Sequence, residues 1–248
     1  MNMNHFLSKF YAAILGTFFL SLMTGFCDAA SNISDSTNKT KMTINVGIYA
    51  PFSSESAFIG RNMLGAMEIA RDQLKSSDIN YEFYTLDKMP NTANTAKTLQ
   101  KFIDAHHINV LITEGADSGS LVAPLAKRNN LIHFCLTDDS IIADGKNNFL
   151  AQSPNHKQAA VLTHSLKPEF IAQFKQEYFS HPVSEAGYAF DIFHMIHNSA
   201  VLAMKTHSDF SSQVVASHLL ALDPGTGVMG RFNLGKNGVS YKKQTLTA

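Results

Sequence analysis

The stretch Asn45-Val-Gly-Ile-Tyr-Ala50 is a short apolar run, and it comes just before a segment with a helical pattern, residues 57–75. The apolar side chains that recur every three or four positions in this segment are Met63, Met67, Ala70 and Leu74. The short run predicts a buried strand, and the recurrence predicts an amphipathic helix.

The same alternation continues along the chain. Strands are predicted at 81–86, 109–113 and 131–136, and helices at 92–106 and 118–129. Short apolar strands that alternate with helices are typical of a parallel sheet with helices on both faces. We therefore predict an α/β fold, a three-layer sandwich with a mainly parallel sheet.

Further along, helices are more frequent than strands. Helices are predicted at 170–178, from a capping Ser184 to about Thr206, and at 209–222, and one strand at Val228–Leu234. The helix that begins at Ser184 is apolar on more than one side, so we expect it to be well buried.

The first thirty residues are typical of a signal peptide. Lys9 precedes an uncharged apolar stretch, residues 11–26, and small residues follow at Ala29 and Ala30. The stretch is shorter than the roughly 20 residues that a membrane-spanning helix needs. We predict a signal peptide at 1–30, a flexible polar tether at 31–42 and a periplasmic protein. Lipid anchoring through Cys27 is the less favoured alternative, because Phe26 stands where a lipidation motif has a small residue.

Composition argues against several functions. The chain has 20 basic and 20 acidic residues, so its zero net charge removes the usual basis for binding nucleic acid. No Gly-x-Ser-x-Gly motif is present, and Cys135 lies in a predicted strand, where a buried, inert thiol is expected. We predict no catalytic residues, no cofactor and no enzyme activity.

Two motifs suggest cofactor sites that the context does not support. Residues 225–230 spell the dinucleotide-binding pattern, but they follow a turn and lead into a predicted strand instead of opening a helix. Asp191, His194 and His197 are spaced three apart on a predicted helix, a pattern that more often marks a partly solvated helix face than a metal site.

Four segments, in this order, resemble the type I periplasmic binding proteins, in particular the leucine/isoleucine/valine-binding components of ABC transporters. They are Val46–Ser54 with Gly60 and Gly65–Ala70; Phe149–Pro154 with Gln158 and Ala159; Phe170, Phe174 and Tyr178 with Pro182 and Ala186–Asp191; and Gly227–Gly230 with Phe232 and Gly238. The resemblance implies weak binding of a small amino-acid-like ligand and contact with a transporter membrane component.

One departure from the family concerns its second lobe. Family members close two α/β lobes on a ligand, whereas here the crossing segment near 154–162 runs almost directly into Phe170. About 100 residues, one domain's worth, are missing at this point. We expect a single lobe over 43–248, made of 43–162 and 168–248. The alternative function is a protein-interaction or dimerising module that has lost small-molecule binding.

Ligands of open parallel sheets lie beyond the carboxyl ends of the strands, which here are three predicted loops, 53–58, 115–120 and 137–140. The candidate binding residues in these loops are Ser53, Ser54, Phe58, Asp117, Ser118, Ser120, Thr137 and Asp138. By the resemblance, Ser118, Ser120 and Thr137 would bind an amino-acid carboxylate. Asp117 and Asp138 would repel a carboxylate but suit an ammonium group. The alternative is that Asp117 and Ser118 only cap the following helix.

Overall fold

The structure, a computed structural model, describes residues 41–74, 78–151, 166–205 and 210–242. The predicted signal peptide, the tether up to residue 40 and the crossing segment near 154–162 lie outside the described residues.

The described part of the chain contains eight strands and six α-helices. The strands are β1 (Met42–Ala50), β2 (Ile79–Asp87), β3 (Val110–Glu114), β4 (Ile132–Leu136), β5 (Asn148–Ala151), β6 (Gly225–Gly227), β7 (Gly230–Gly235) and β8 (Gly238–Lys242). The helices are α1 (Ala57–Gln73), α2 (Ala93–Ala105), α3 (Ala116–Asn129), α4 (Pro168–Tyr178), α5 (Ser184–Met204) and α6 (Ser212–Leu220), with a 3₁₀ turn at Ser140–Ile142.

The strands form one sheet in the order β2-β1-β3-β4-β5-β8-β7-β6. Strands β1 to β5 pair in parallel, and β8 joins β5 in parallel. Strands β6 and β7 complete the sheet in antiparallel pairs. The predicted α/β fold with a mainly parallel sheet is therefore confirmed.

Two large cores and a small cluster of Cys135, Ile142 and Leu150 fill the space between the layers. On one face, Ile44, Val46 and Ile48 of β1 are fully buried in a cluster with Met63 and Met67 of α1 and with α4, α5 and α6. On the other face, a smaller cluster joins β1 and β3 to α2 and α3; its members include Tyr49, Leu99, Leu111 and Val122. Because both faces of the central strands are covered, the strands are mostly apolar.

Helix α5 is buried on several sides, as predicted, with every residue from Ser184 to Phe193 buried apart from Glu185. Among the described helices, none is both long and apolar enough to cross a bilayer.

Several predicted boundaries are wrong. The strand predicted at Val228–Leu234 begins too early, because residues 228–229 form a turn and β7 starts at Gly230. The sequence pattern does not predict strands β5, β6 and β8. Ser184 does not cap α5: Val183 occupies the cap position, and the Ser184 hydroxyl donates to Glu185.

The β6–β7 hairpin is attached to α5 by a buried carboxylate. Asp191 accepts hydrogen bonds from the backbone N–H groups of Val228 (2.6 Å) and Met229 (3.1 Å). Burial raises the pKa of Asp191 to about 7. A Cβ atom at Gly227 would lie 2.1 Å from the Asp191 carboxyl group, so only glycine fits at this position.

Replacing Gly227 with alanine is expected to destabilise the protein by about 1–3 kcal/mol, since the new methyl group forces the carboxylate and the turn apart. Gly235→Ala in the same hairpin is the control, because a Cβ there meets no atom within 4 Å. Urea unfolding of both variants measures the difference. Equal losses of stability would contradict the close packing of Gly227 on Asp191.

A chain of hydrogen-bonded polar side chains links β3, β4 and β5. His133 Nε2 lies 2.9 Å from the Thr113 hydroxyl, and His133 Nδ1 lies 2.8 Å from the Asn148 Oδ1 atom. The Asn148 amide nitrogen donates a hydrogen bond to the Asp144 carboxylate (2.7 Å). Since the Asn148 oxygen only accepts, Nδ1 carries the proton and Nε2 accepts from Thr113. Burial lowers the pKa of His133 to about 4, so the ring is neutral at physiological pH.

This lowered pKa predicts a loss of stability in acid. Below its ordinary pKa of 6.5 the histidine takes up a proton in the unfolded chain, but in the folded protein it does so only near pH 4. The stability contributed by the neutral ring is therefore complete above pH 6.5 and falls by about 2–3 kcal/mol between about pH 7 and pH 4.5.

The His133→Gln variant isolates this effect, because Asp191, whose raised pKa acts in the opposite direction, is present in both proteins. The difference in unfolding free energy between the two proteins should shrink as the pH is lowered. A difference that does not change with pH would show that His133 is not held neutral.

Candidate functional site

The carboxyl ends of β1 to β4 lie along one side of the sheet, which we call the carboxyl edge. The segments that follow these strands begin at Pro51, Lys88, Gly115 and Thr137. All three predicted binding loops lie on this edge, as parallel pairing requires.

A pocket of about 240 Å³, the edge pocket, opens between β1, the segment after β2 and the start of α3. It is lined by Tyr49, residues 88–91, Asp117, Ser118 and Leu121. Both polar and apolar groups face it, which is typical of sites for small organic solutes.

The wall formed by residues 88–91 is held by hydrogen bonds. The buried Tyr49 hydroxyl accepts from the Met89 N–H (3.1 Å) and lies 3.2 Å from the Met89 carbonyl oxygen. The Lys88 N–H donates to the Ala50 carbonyl (2.9 Å), and the Thr95 hydroxyl donates to the Pro90 carbonyl. The segment is thus tied to both β1 and α2, so the pocket is preformed.

Ser118 is the most informative residue of the pocket. It is 2% exposed, and its hydroxyl oxygen makes no hydrogen bond within the described residues. The residue at the cap position of α3 is Gly115, so the interpretation of Asp117 and Ser118 as helix caps is wrong. A buried hydroxyl without a partner costs about 1–3 kcal/mol, which a polar group of a ligand would offset.

Of the charged side chains beside the pocket, two form an ion pair and one carboxylate has no partner within the described residues. The Lys88 ammonium group forms an ion pair with the Glu114 carboxylate (3.1 Å) and also reaches the Glu114 carbonyl oxygen (3.4 Å). Asp117 is exposed, and no hydrogen bond or ion pair of its carboxylate occurs within the described residues. The carboxylate that remains unneutralised at the pocket is therefore Asp117.

The first predicted loop has a different role. Asp87, at the end of β2, accepts hydrogen bonds from the Ser53 hydroxyl and from the N–H groups of Phe52 (2.6 Å) and Ser53 (3.2 Å). The Ser53 hydroxyl and these amides hold the pKa of Asp87 below its usual range. Ser54 accepts from the Ser56 N–H (3.2 Å), and Phe58 is 51% exposed. The predicted residues Ser53, Ser54 and Phe58 therefore do not line the pocket.

The remaining candidates also lie outside the pocket. Thr137 is buried, and its hydroxyl accepts from the Asp139 N–H (3.3 Å). Ser120 and Asp138 are exposed. Of the eight predicted residues, the structure brings only Asp117 and Ser118 into the edge pocket.

Sequence reasoning missed Tyr49, Leu121 and the wall at 88–91. The segment after β2 also follows a parallel strand, so the rule that predicts the three loops predicts this segment as well.

Asp191, His194 and His197, the residues with the metal-like spacing, do not form a shared site. Asp191 binds the hairpin, and His197 Nδ1 lies 2.9 Å from the Tyr81 hydroxyl. Burial lowers the pKa of His194 to about 4. Within the described residues, no group of three or more His, Cys, Asp or Glu side chains is placed to hold a metal ion. Cys135 is fully buried, and burial raises the pKa of its thiol to about 12, which fits the predicted inert thiol.

Solved structures of solute-binding proteins share this fold. A leucine-binding protein from Thermotoga maritima matches with a TM-score of 0.60 at 10% identity, over 81% of this chain and 96% of that one. An R. palustris ABC-transporter solute-binding protein in complex with benzoate matches with a TM-score of 0.62 at 10% identity, over 79% and 90%.

A branched-chain amino-acid transporter substrate-binding protein from Streptococcus pneumoniae, in complex with isoleucine, matches with a TM-score of 0.57 at 11% identity, over 79% and 92%. The sequence itself matches no protein-family model and no curated protein. The chain therefore has the type I periplasmic binding protein fold, which confirms the resemblance at the level of the fold.

Replacing Tyr49 with phenylalanine is expected to destabilise the protein by about 1–2 kcal/mol, because Met89 loses its partner on β1. Tyr84→Phe is the control: its hydroxyl donates to the exposed Glu82, and the loss should stay within about 0.5 kcal/mol. Chemical unfolding measures both, and equal effects would show that Tyr49 does not hold the pocket wall.

Proposed function

We propose that this protein binds a small solute at the carboxyl edge of a single periplasmic-binding-protein lobe. The observation that carries the proposal is Ser118, a residue that lines the pocket and whose buried hydroxyl has no hydrogen-bond partner within the described residues. The proposed role is binding without chemistry, in line with the solute-binding proteins that share the fold.

The position of the pocket supports this role. Open parallel sheets bind ligands beyond the carboxyl ends of their strands, where loops and helix N-termini supply polar groups. The edge pocket lies there, beside the first turn of α3. Its volume of about 240 Å³ is below the several hundred Å³ typical of drug-sized ligands, so a small solute is expected.

The length of one connection supports a single lobe. Only residues 152–165 separate the end of β5 from Leu166, two residues before α4. Domains need about 50 residues or more, so this connection is too short to hold a second lobe. A two-lobed binder excludes water by closing on its ligand. One lobe leaves the site open, and the affinity should be correspondingly low.

The resemblance extends the proposal to ligand and location. An amino-acid-like ligand and a membrane component of an ABC transporter are the proposed partners, and the periplasm is the proposed location after cleavage of residues 1–30. Attachment to lipid through Cys27 is the alternative form of the exported protein.

The exposed apolar side chains of the carboxyl edge favour a second candidate function. Phe58, after β1, is 51% exposed, and Ile141, after β4, is 85% exposed. Apolar groups at a surface often mark contacts with a partner. A dimerising module, in which a second copy of the chain covers this edge, would use them.

The test is thermal unfolding of the purified protein with amino acids, their amides and benzoate at millimolar concentration. A ligand at a hundred times its dissociation constant stabilises by about 2.7 kcal/mol. Ser118→Ala should reduce this shift, whereas the unliganded variant should keep or gain stability, since its hydroxyl has no partner to lose. Ser120→Ala, exposed on the same helix, is the matched control.

Equal shifts in the two serine variants would place binding outside the edge pocket. No shift with any solute would overturn the proposal, and a dimer by light scattering in the same samples would then favour the second function.

A further inference from the structure

We infer that the edge pocket recognises the ammonium group of its solute, so that a small primary amine binds more tightly than a carboxylate of the same size. This inference rests on the proposed function and adds the chemical class of the ligand. Its basis is the pairing of charges at the pocket, together with the unpartnered hydroxyl of Ser118.

The cation at the pocket is already neutralised. Lys88 donates to both the side chain and the backbone oxygen of Glu114, at 3.1 and 3.4 Å. Both side chains are partly buried, 31% and 16% exposed, which strengthens their attraction relative to a pair in open water. An incoming carboxylate would have to compete with Glu114 for this ammonium group.

The Asp117 carboxylate is the charged group at the pocket that can interact with a ligand. The N-terminus of α3 carries about half a positive charge, and Asp117 in its first turn carries a full negative charge. The balance at the mouth of the pocket is therefore negative, since Lys88 and Glu114 cancel. An ammonium group is attracted there, and a carboxylate is repelled.

The hydrogen-bonding groups suit an amine as well. The Ser118 hydroxyl can accept from an N–H donor, and Asn91, exposed at the pocket, has an amide oxygen for the same purpose. An ammonium group has three donors to distribute among such acceptors. The apolar surface formed by Tyr49, Met89 and Leu121 can cover an apolar carbon chain on the same solute.

Three probes with one isobutyl group test the inference: 3-methylbutylamine, which has only the ammonium group; 4-methylpentanoate, which has only the carboxylate; and leucine, which has both. Isothermal titration of the purified protein should give an affinity for the amine at least about tenfold above that for the acid, with leucine in between. The preference should weaken when salt is raised from about 0.05 to 0.5 M, because the attraction is screened.

Asp117→Asn should reduce the preference for the amine to within about threefold. Asp138→Asn is the matched control: it removes an exposed carboxylate from the same edge, but Asp138 does not line the pocket. A preference that survives in Asp117→Asn, or that is lost equally in both variants, would overturn the role of Asp117.

The outcomes separate this inference from the proposed function. Equal or tighter binding of 4-methylpentanoate overturns the amine class and leaves solute binding intact. Binding of none of the three probes, in a protein that also shows no thermal shift with the wider panel, overturns both.

Discussion

The parallel pairing of β1 with β2 on one side and β3 on the other is the constraint on which the rest of the structure depends. It places Ala50 opposite Asp87, and Tyr49 opposite both Leu86 and Thr113, so that three strands end together. Parallel neighbours need crossover helices, and these helices bury both faces of β1. The same pairing brings Lys88, Glu114 and the start of α3 to one place, and thereby creates the edge pocket.

The polar groups of this fold differ in how fully they are hydrogen-bonded. The Thr113–His133–Asn148–Asp144 chain and the Asp191 carboxylate are buried and bonded, so they stabilise particular packings: β4 with β5, and the hairpin on α5. The groups at the edge pocket are less satisfied, since Ser118 is unbonded and Asp117 is unpaired within the described residues. Within the described residues, buried side-chain atoms without a hydrogen-bond partner also occur at Asn45, His194, Ser199 and Tyr241, so Ser118 is distinguished by its position at the pocket.

Two of the residues that line the edge pocket, Asp117 and Ser118, are predicted from the sequence. The rule that ligands bind beyond parallel strands selects Asp117 and Ser118, which the structure places at the edge pocket. It could not distinguish these two from Ser53, which bonds to Asp87, or from Thr137, which accepts from its own turn. Serine and threonine hydroxyls satisfy loop backbones as readily as they bind ligands, and only the three-dimensional surroundings of each hydroxyl show which it does.

The sequence by itself determined the α/β class, the alternation of β1 to β4 with α1 to α3, and the burial of α5, because these depend on the spacing of apolar residues along a short segment. Only the tertiary structure decided the positions of β5 and β8, the hairpin on Asp191 and the partners of Lys88. These features depend on contacts between residues far apart in the chain, such as Lys88 with Glu114 and Asp191 with Val228. The local spacing of apolar residues does not predict such contacts, since they form only when the strands pair and the helices pack.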